Sequence, residues 1–162
     1  MKTLLLLRHA KSSWDNANMA DHERPLNKRG KHDAPRMGEL LAREELTPDL
    51  IITSSAERAL ATAEMAALHS GYEQELVVTR ELYHADPESY LAVLREKGNA
   101  HNRVLVVGHN PGMEVLLEEL TGGYQRMPTA SLARVDLPID SWADFTEDVE
   151  GKLIEIWRPK EI

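Results

Sequence analysis

Short apolar runs alternate along the first two thirds of the chain with stretches whose apolar residues repeat at helical spacing. Four of these runs, at residues 4–7, 49–53, 75–79 and 103–107, predict buried strands because they are short and rich in leucine, isoleucine or valine. The helical pattern is clearest at Met113, Leu116, Leu117 and Leu120, which fall at i, i+3, i+4 and i+7. This order of elements predicts a parallel sheet covered by helices.

Proline and capping residues mark where the predicted helices begin. Asp86 can cap a helix whose first position is Pro87, because proline has no N–H to lose there. The helix after the first strand has two possible starts. It begins near Asp33 with Pro35 in its first turn, or near Asn27 with a kink at the proline.

The last third of the chain has a different pattern. Residues 128–137 alternate apolar and polar positions, residues 152–157 predict a closing strand, and no helical segment separates the two. At least one of them should therefore be antiparallel to its neighbour. The whole pattern predicts a single domain over residues 1–162, a three-layer α/β/α sandwich with a mostly parallel, mixed sheet.

Composition limits the environment and the partners. With no cysteine, disulfides and thiolate catalysis are excluded, and a cytoplasmic location is the default expectation. The apolar run before Arg8 is too short for a signal-peptide core, and no run of about 18 apolar residues could span a membrane. The formal net charge of -8 argues against general binding to nucleic acid or to anionic membranes. Any anion site must therefore be locally basic.

Charged and polar residues follow three of the predicted strands. Arg8 and His9 follow the first, Arg58 lies one helical turn after the second, and His109 follows the fourth. Because the carboxyl ends of parallel strands meet in one crevice, we expect these four residues to lie together. Two arginines and two histidines disfavour one another unless an anion lies between them. A phosphoryl group fits, with His9 attacking phosphorus through a ring nitrogen.

These residues resemble the histidine phosphatase superfamily, which includes phosphoglycerate mutases. The family's opening Arg-His-Gly motif is matched by Arg8, His9 and Ala10, and its Gly-His motif by Gly108 and His109. Residues 54–63 are similar to its motif of two serines, an arginine and Thr-Ala. The short length and the stretches RHAKSSW, RPLNKRG and GHNPG look like the compact phosphohistidine phosphatase (SixA-type) subgroup.

The resemblance implies a phosphoglycerate mutase-like fold and a role for each matching residue, with no metal and no cofactor. His9 is the implied nucleophile, and Glu81, after the third predicted strand, is the candidate general acid. The phosphate would be bound by Arg8, Arg58, His109 and Ser12.

Charge requirements add two expectations. Neutral His9 is needed for attack, and the nearby arginines help to keep it neutral. A protonated His109 would be more useful beside a phosphate dianion. The sequence does not assign roles to Asp15, Tyr83 or His84.

Three functions remain open. The leading hypothesis is a phosphatase for phosphohistidine in a protein, with a histidine-containing phosphocarrier or phosphotransfer domain as the partner. A phosphatase for small phosphate esters is the alternative within enzymes, and a non-catalytic phosphate-binding module is the alternative outside them. A mutase is less favoured, because no long insert could form a closing lid.

Overall fold

The computed structural model describes all residues, 1–162, and contains six strands and four α-helices. The strands are β1 (Lys2–Arg8), β2 (Leu50–Ser54), β3 (Val77–Thr79), β4 (Arg103–Gly108), β5 (Leu132–Leu137) and β6 (Lys152–Trp157). The helices are α1 (Lys28–Arg43), α2 (Glu57–Ser70), α3 (Pro87–Lys97) and α4 (Gly112–Thr121).

All six strands form one sheet in the order β3-β2-β4-β1-β5-β6. The first four strands pair in parallel, whereas β5 is antiparallel to β1 and β6 is antiparallel to β5. The mixed sheet and the antiparallel strand near the end of the chain are therefore confirmed. The parallel connections run through helices, which places the carboxyl ends of β1, β2 and β4 at one edge.

The leucine run of β1 is buried because both faces of the sheet are covered. Leu4 and Leu6 belong to a cluster of 22 buried residues that includes the apolar faces of α3 and α4. Leu5 and Leu7 point the other way, into a cluster of 19 buried residues with α1 and α2. A strand buried on both faces needs a continuous apolar run. The three-layer α/β/α architecture is confirmed.

Helix α1 takes the earlier of its two possible starts. The Asn27 side chain accepts a hydrogen bond from the Gly30 N–H at 2.9 Å, and Pro35 lies inside the helix. Helix α3 begins as expected, with the Asp86 carboxylate accepting from the Ser89 N–H at 2.9 Å. These caps satisfy N–H groups that a helix leaves unpaired in its first turn.

Two predicted strands are shorter in the structure. Strand β3 is the sheet edge and pairs with β2 only over Val77–Thr79. Residues 128–131 do not extend β5, because the Ala130 N–H donates to the carbonyls of Arg8 and His9 at 3.1 and 3.0 Å. This loop therefore packs against the end of β1. No helix in the structure is both long and apolar enough to cross a membrane.

Candidate active site

The sheet register brings the two candidate histidines to the same level. Arg8 pairs with Gly108 across β1 and β4, and the His9 N–H donates to the Gly108 carbonyl at 3.0 Å. The next residue on each strand end is therefore a histidine, and the ring centroids of His9 and His109 are 5.1 Å apart. A cavity of about 250 Å³, hereafter the His9 cavity, opens here. Its lining residues are Arg8, His9, Lys11, Ser12, Trp14, Arg24, Arg58 and Thr129.

The His9 ring is held so that one nitrogen is free to react. Its Nδ1 atom lies 2.7 Å from the carbonyl oxygen of Ala10, which can only accept, so Nδ1 carries the proton. The Nε2 atom keeps its lone pair. Burial, together with the positive charges of Arg8 and Arg58, lowers the pKa of His9 to about 4. The ring is therefore neutral at pH 7, as expected from the arginines, although burial is the larger cause.

Arg8 and Arg58 enter the site from β1 and from the first turn of α2. Arg8 donates from Nη1 to the Met127 carbonyl at 3.0 Å, and its buried Nε has no partner. The Arg58 guanidinium is buried and donates to Asp21 twice, to the carbonyl at 2.8 Å and to Oδ2 at 3.0 Å. Both guanidinium groups are thus fixed in position, which preorganises them for an oxyanion.

His109 is held through both its ring and its backbone. Its Nε2 lies 2.8 Å from Ser54 Oγ, and its N–H donates to the Tyr90 hydroxyl at 3.1 Å. Gly108 is required beside it, because a Cβ at that position would collide with the Tyr90 hydroxyl. Burial, followed by the nearby His9 and Arg58, lowers the pKa of His109 to about 3. Without an anion beside it, the His109 ring is therefore neutral at pH 7, and its protonation beside a phosphate dianion stays a prediction.

A carboxylate that the sequence did not single out joins the site. Asp21 lies on a single 3-10 turn, Asp21–Glu23, and its Oδ2 accepts from Arg58 and, at 2.6 Å, from the Tyr83 hydroxyl. Its Oδ1 accepts from Arg24 at 2.8 Å. The Tyr83 hydrogen bond, followed by those from Arg24 and Arg58, holds the pKa of Asp21 far below its usual range. Asp21 therefore stays ionised and links two arginines.

Arg24 is the third arginine of the His9 cavity and is also buried. It donates to the Ser12 hydroxyl and, at 3.0 Å, to the Ser13 carbonyl. Its guanidinium carbon lies 3.2 Å from the ring centroid of Trp14, which is otherwise exposed. Ser12, predicted to contact substrate, thus holds Arg24 at the cavity wall. The only sequence signal for Arg24 was its place in the RPLNKRG stretch.

The remaining candidates do not line the His9 cavity. Glu81 is exposed on a 3-10 turn, Arg80–Leu82, makes no side-chain hydrogen bond and does not line the His9 cavity. Asp15 is also exposed and outside that lining. His84 stacks on Tyr83 with ring centroids 4.0 Å apart and lines a neighbouring cavity beside His109. The role of Glu81 as a general acid remains a prediction.

This arrangement favours transfer of a phosphoryl group. A neutral imidazole with a free Nε2 faces a cavity whose charged lining includes three arginines. Guanidinium groups bind phosphoryl oxygens through paired donors and stabilise charge that develops during transfer. No group of three or more histidine, aspartate or glutamate side chains is placed to hold a metal ion.

Comparison with known proteins agrees with this chemistry. The model of the histidine phosphatase superfamily (branch 1) matches residues 4–86, just over half of the chain. The chain therefore belongs to the histidine phosphatase superfamily, and the resemblance seen in the sequence is confirmed. It is an enzyme of that superfamily, and the site supports phosphatase activity.

Solved structures of this superfamily match the chain over nearly its full length. A chain assigned as the phosphohistidine phosphatase SixA of Agrobacterium tumefaciens is 30% identical, with a TM-score of 0.83 and 98% of both chains covered. The protein histidine phosphatase SixA complexed with tungstate is 24% identical, with a TM-score of 0.82 and 98% of both chains covered. An uncharacterised chloroplastic protein of Arabidopsis thaliana is 29% identical over 88% of this chain and 70% of its own length.

Proposed function

We propose that this protein removes phosphate from phosphohistidine in a partner protein, through a phosphohistidine intermediate on His9. The observation that carries the proposal is the His9 ring, with Nδ1 bound to the Ala10 carbonyl and Nε2 free beside Arg8 and Arg58. Further support for the substrate class comes from the full-length similarity to the Agrobacterium tumefaciens chain assigned as SixA. The tungstate complex of another SixA shows that such a fold can bind an oxyanion.

The proposed reaction has two transfers. In the first, Nε2 of His9 attacks phosphorus, the bond from phosphorus to the substrate imidazole breaks, and the neutral imidazole leaves with its proton. In the second, water attacks phosphorus, the bond from phosphorus to Nε2 breaks, and the proton lost by the water passes to solvent, which releases inorganic phosphate and restores neutral His9. Arg8, Arg24 and Arg58 stabilise the phosphoryl oxygens throughout. The Ala10 carbonyl stabilises the positive charge that the phosphorylated ring acquires.

The rim of the His9 cavity supports a substrate presented from another protein. Trp14 and Lys11 line the cavity and are exposed, so both can contact groups that surround a phosphohistidine. An exposed aromatic side chain beside a positive charge is typical of residues that anchor protein partners.

The decisive experiment compares phosphate release from a phosphorylated phosphotransfer domain by wild type and by His9→Ala. We expect His9→Ala to reduce release to the background rate and to abolish acid-labile phosphate trapped on the enzyme. His32→Ala is the matched control, because His32 is exposed on α1 and lies outside the cavity. Equal rates in wild type and His9→Ala would refute the proposal.

A parallel measurement separates substrate classes. The same variants are assayed with a small phosphate ester, and kcat/KM is compared with that for the phosphorylated domain. Faster hydrolysis of the ester would favour the small-ester alternative. Binding of the phosphorylated domain without trapped phosphate or turnover would favour the non-catalytic alternative.

A further inference from the structure

A second cavity lies against the wall of the His9 cavity and is larger, at about 370 Å³. It shares Arg8, Lys11 and Thr129 with the His9 cavity, so the two cavities are adjacent. It is hereafter the basic cavity, and six cationic side chains line it: Arg8, Lys11, Arg29, Arg126, Arg158 and Lys160. Its volume equals that of roughly a dozen liquid waters, enough for a hydrated phosphoryl group.

The charge of the basic cavity is opposite to that of the whole chain. Six cations and two carboxylates, Asp33 and Glu161, leave a local net charge of +4 in a protein whose formal charge is -8. Glu161 already pairs with Arg126 at 2.6 Å and with Arg158 at 3.4 Å. Like charges gathered in one concave site repel one another, and a bound anion relieves that repulsion.

Three of the cations, Arg8, Lys11 and Lys160, have no carboxylate partner. Lys11 and Lys160 are exposed and form no ion pair. Asp33 cannot neutralise them, because it binds Arg29 at 3.2 Å and Arg36 at 3.1 Å. The excess positive charge is therefore available to a ligand.

The guanidinium group of Arg158 is fixed before any ligand binds. Its Nε donates to the Arg126 carbonyl at 3.1 Å and its Nη2 to the Gln125 side chain at 3.1 Å. Only 13% of the Arg158 side chain is exposed. Arg8 lies in the wall between the cavities, and its buried Nε has no hydrogen-bond partner. Fixed donors of this kind reduce the entropy lost on binding.

We propose that the basic cavity is a second anion subsite, which binds another phosphoryl group of the same substrate molecule while its reacting phosphoryl group lies at His9. The shared lining of Arg8 and Lys11 carries this inference, which rests on the proposed phosphoryl site at His9. The subsite makes substrates with two phosphoryl groups better ligands than those with one. It operates whether the reacting phosphate is on nitrogen or on oxygen.

The test measures Kd by calorimetry for inorganic phosphate and for tripolyphosphate, at fixed salt. All variants carry His9→Ala, so that no phosphoanhydride is cleaved. The test variant is Arg126→Gln/Lys160→Gln, which removes two charges that line only the basic cavity. The matched control is Arg43→Gln/Lys152→Gln, which removes two exposed charges outside both cavities.

We expect the test variant to weaken tripolyphosphate binding by about tenfold, the scale of one charge-assisted contact. Its Kd for phosphate should change by less than about twofold, because distant charges are screened by salt. Equal tripolyphosphate affinity in the test and control variants would overturn the subsite alone. Absence of phosphate binding in every variant would instead contradict the phosphoryl site at His9.

A further arm distinguishes phosphate from carboxylate as the occupant. Hexaglutamate is titrated into the same proteins under the same conditions. Weak hexaglutamate binding, unchanged by Arg126→Gln/Lys160→Gln, supports a phosphoryl occupant. Tighter binding of hexaglutamate than of tripolyphosphate, lost in the test variant, would overturn that assignment in favour of an acidic segment of a protein.

Discussion

The pH dependence of kcat/KM should show that the pKa of His9 lies below the ordinary value for histidine. Only the neutral ring can attack phosphorus, and kcat/KM reports the pKa of a group in the free enzyme. Burial and the nearby Arg8, Arg58 and Arg24 lower the pKa of His9 to about 4. Activity should therefore fall as pH drops through about 4, rather than through the ordinary histidine value of about 6.5.

The difference is large enough to measure at pH 5. With the ordinary pKa, about 3% of His9 would be neutral there, whereas a pKa of about 4 leaves about 90% neutral. The depressed pKa thus predicts about 30-fold more competent enzyme at pH 5. His109, with a pKa of about 3, should remain neutral over the same interval.

The assay is phosphate release at subsaturating substrate between pH 4 and 8, corrected for the ionisation of the substrate itself. Circular dichroism must be recorded over the same pH range to show that the protein stays folded. In the unfolded chain His9 and His109 bind protons below about pH 6.5, whereas in the folded protein they do not. Stability is therefore lost as pH falls from about 6.5 toward the folded pKa values. Arg24→Gln should move the acid limb upward, since it removes a nearby cation, whereas exposed Arg43→Gln should not. An acid limb near 6.5 in folded wild type would refute the reasoning.

Three further predictions address individual side chains. Arg58→Ala should lower kcat by about 10²–10³-fold. Loss of the hydrogen bonds from Arg58 to Asp21 should lower the melting temperature by only about 2–4 °C. Unchanged turnover would exclude a catalytic role for Arg58. Glu81→Gln should slow ester hydrolysis by about 10²–10⁴-fold but phosphohistidine hydrolysis by less than about tenfold. The reason is that an alkoxide needs a proton in order to leave, whereas the imidazole of a protonated phosphohistidine does not. Equal and severe loss of activity on both substrates would contradict this prediction. Burial, followed by the hydrogen bond to Asp21, raises the pKa of the Tyr83 phenol, so Asp21→Asn should lower that pKa. Ultraviolet titration, with Tyr83→Phe as the reference that identifies the Tyr83 signal, would show whether the pKa falls.

The four strand-end residues could be placed from the sequence because parallel strands constrain where their ends lie. Once residues 4–7 and 103–107 are strands in one sheet, the residues that follow them share an edge. The actual register, Arg8 opposite Gly108, then sets His9 beside His109. The prediction needed only the element order and the apolar runs, which are local features of the chain.

Asp21 and Arg24 could not be placed in the same way. They lie in an irregular segment, where no hydrophobic period indicates which side chains turn inward. Their positions depend on contacts distant in sequence, such as the bonds of Asp21 to Arg58 and Tyr83.

The ends of the predicted strands were the other feature that the sequence did not indicate. Apolar spacing does not reveal that residues 128–131 bind the end of β1 instead of extending β5. Ala130 takes a left-handed conformation with φ of 62°, which ends the ladder and turns its N–H toward the Arg8 and His9 carbonyls. Position 130 holds an alanine, so the sequence lacked the glycine or asparagine that usually indicates such a turn.

The histidine pKa values complete the charge balance of the His9 cavity. With both rings neutral, the lining contributes four positive charges, from Arg8, Lys11, Arg24 and Arg58, and Asp21 contributes one negative charge, a net charge of +3. The site is therefore positive enough to attract a dianionic phosphoryl group without a charged histidine. Protonation of both rings would raise the net charge to +5 and remove the lone pair needed for attack. Burial of the histidines therefore makes attraction of the phosphoryl group compatible with a reactive nucleophile, because the arginines and Lys11 supply the positive charge.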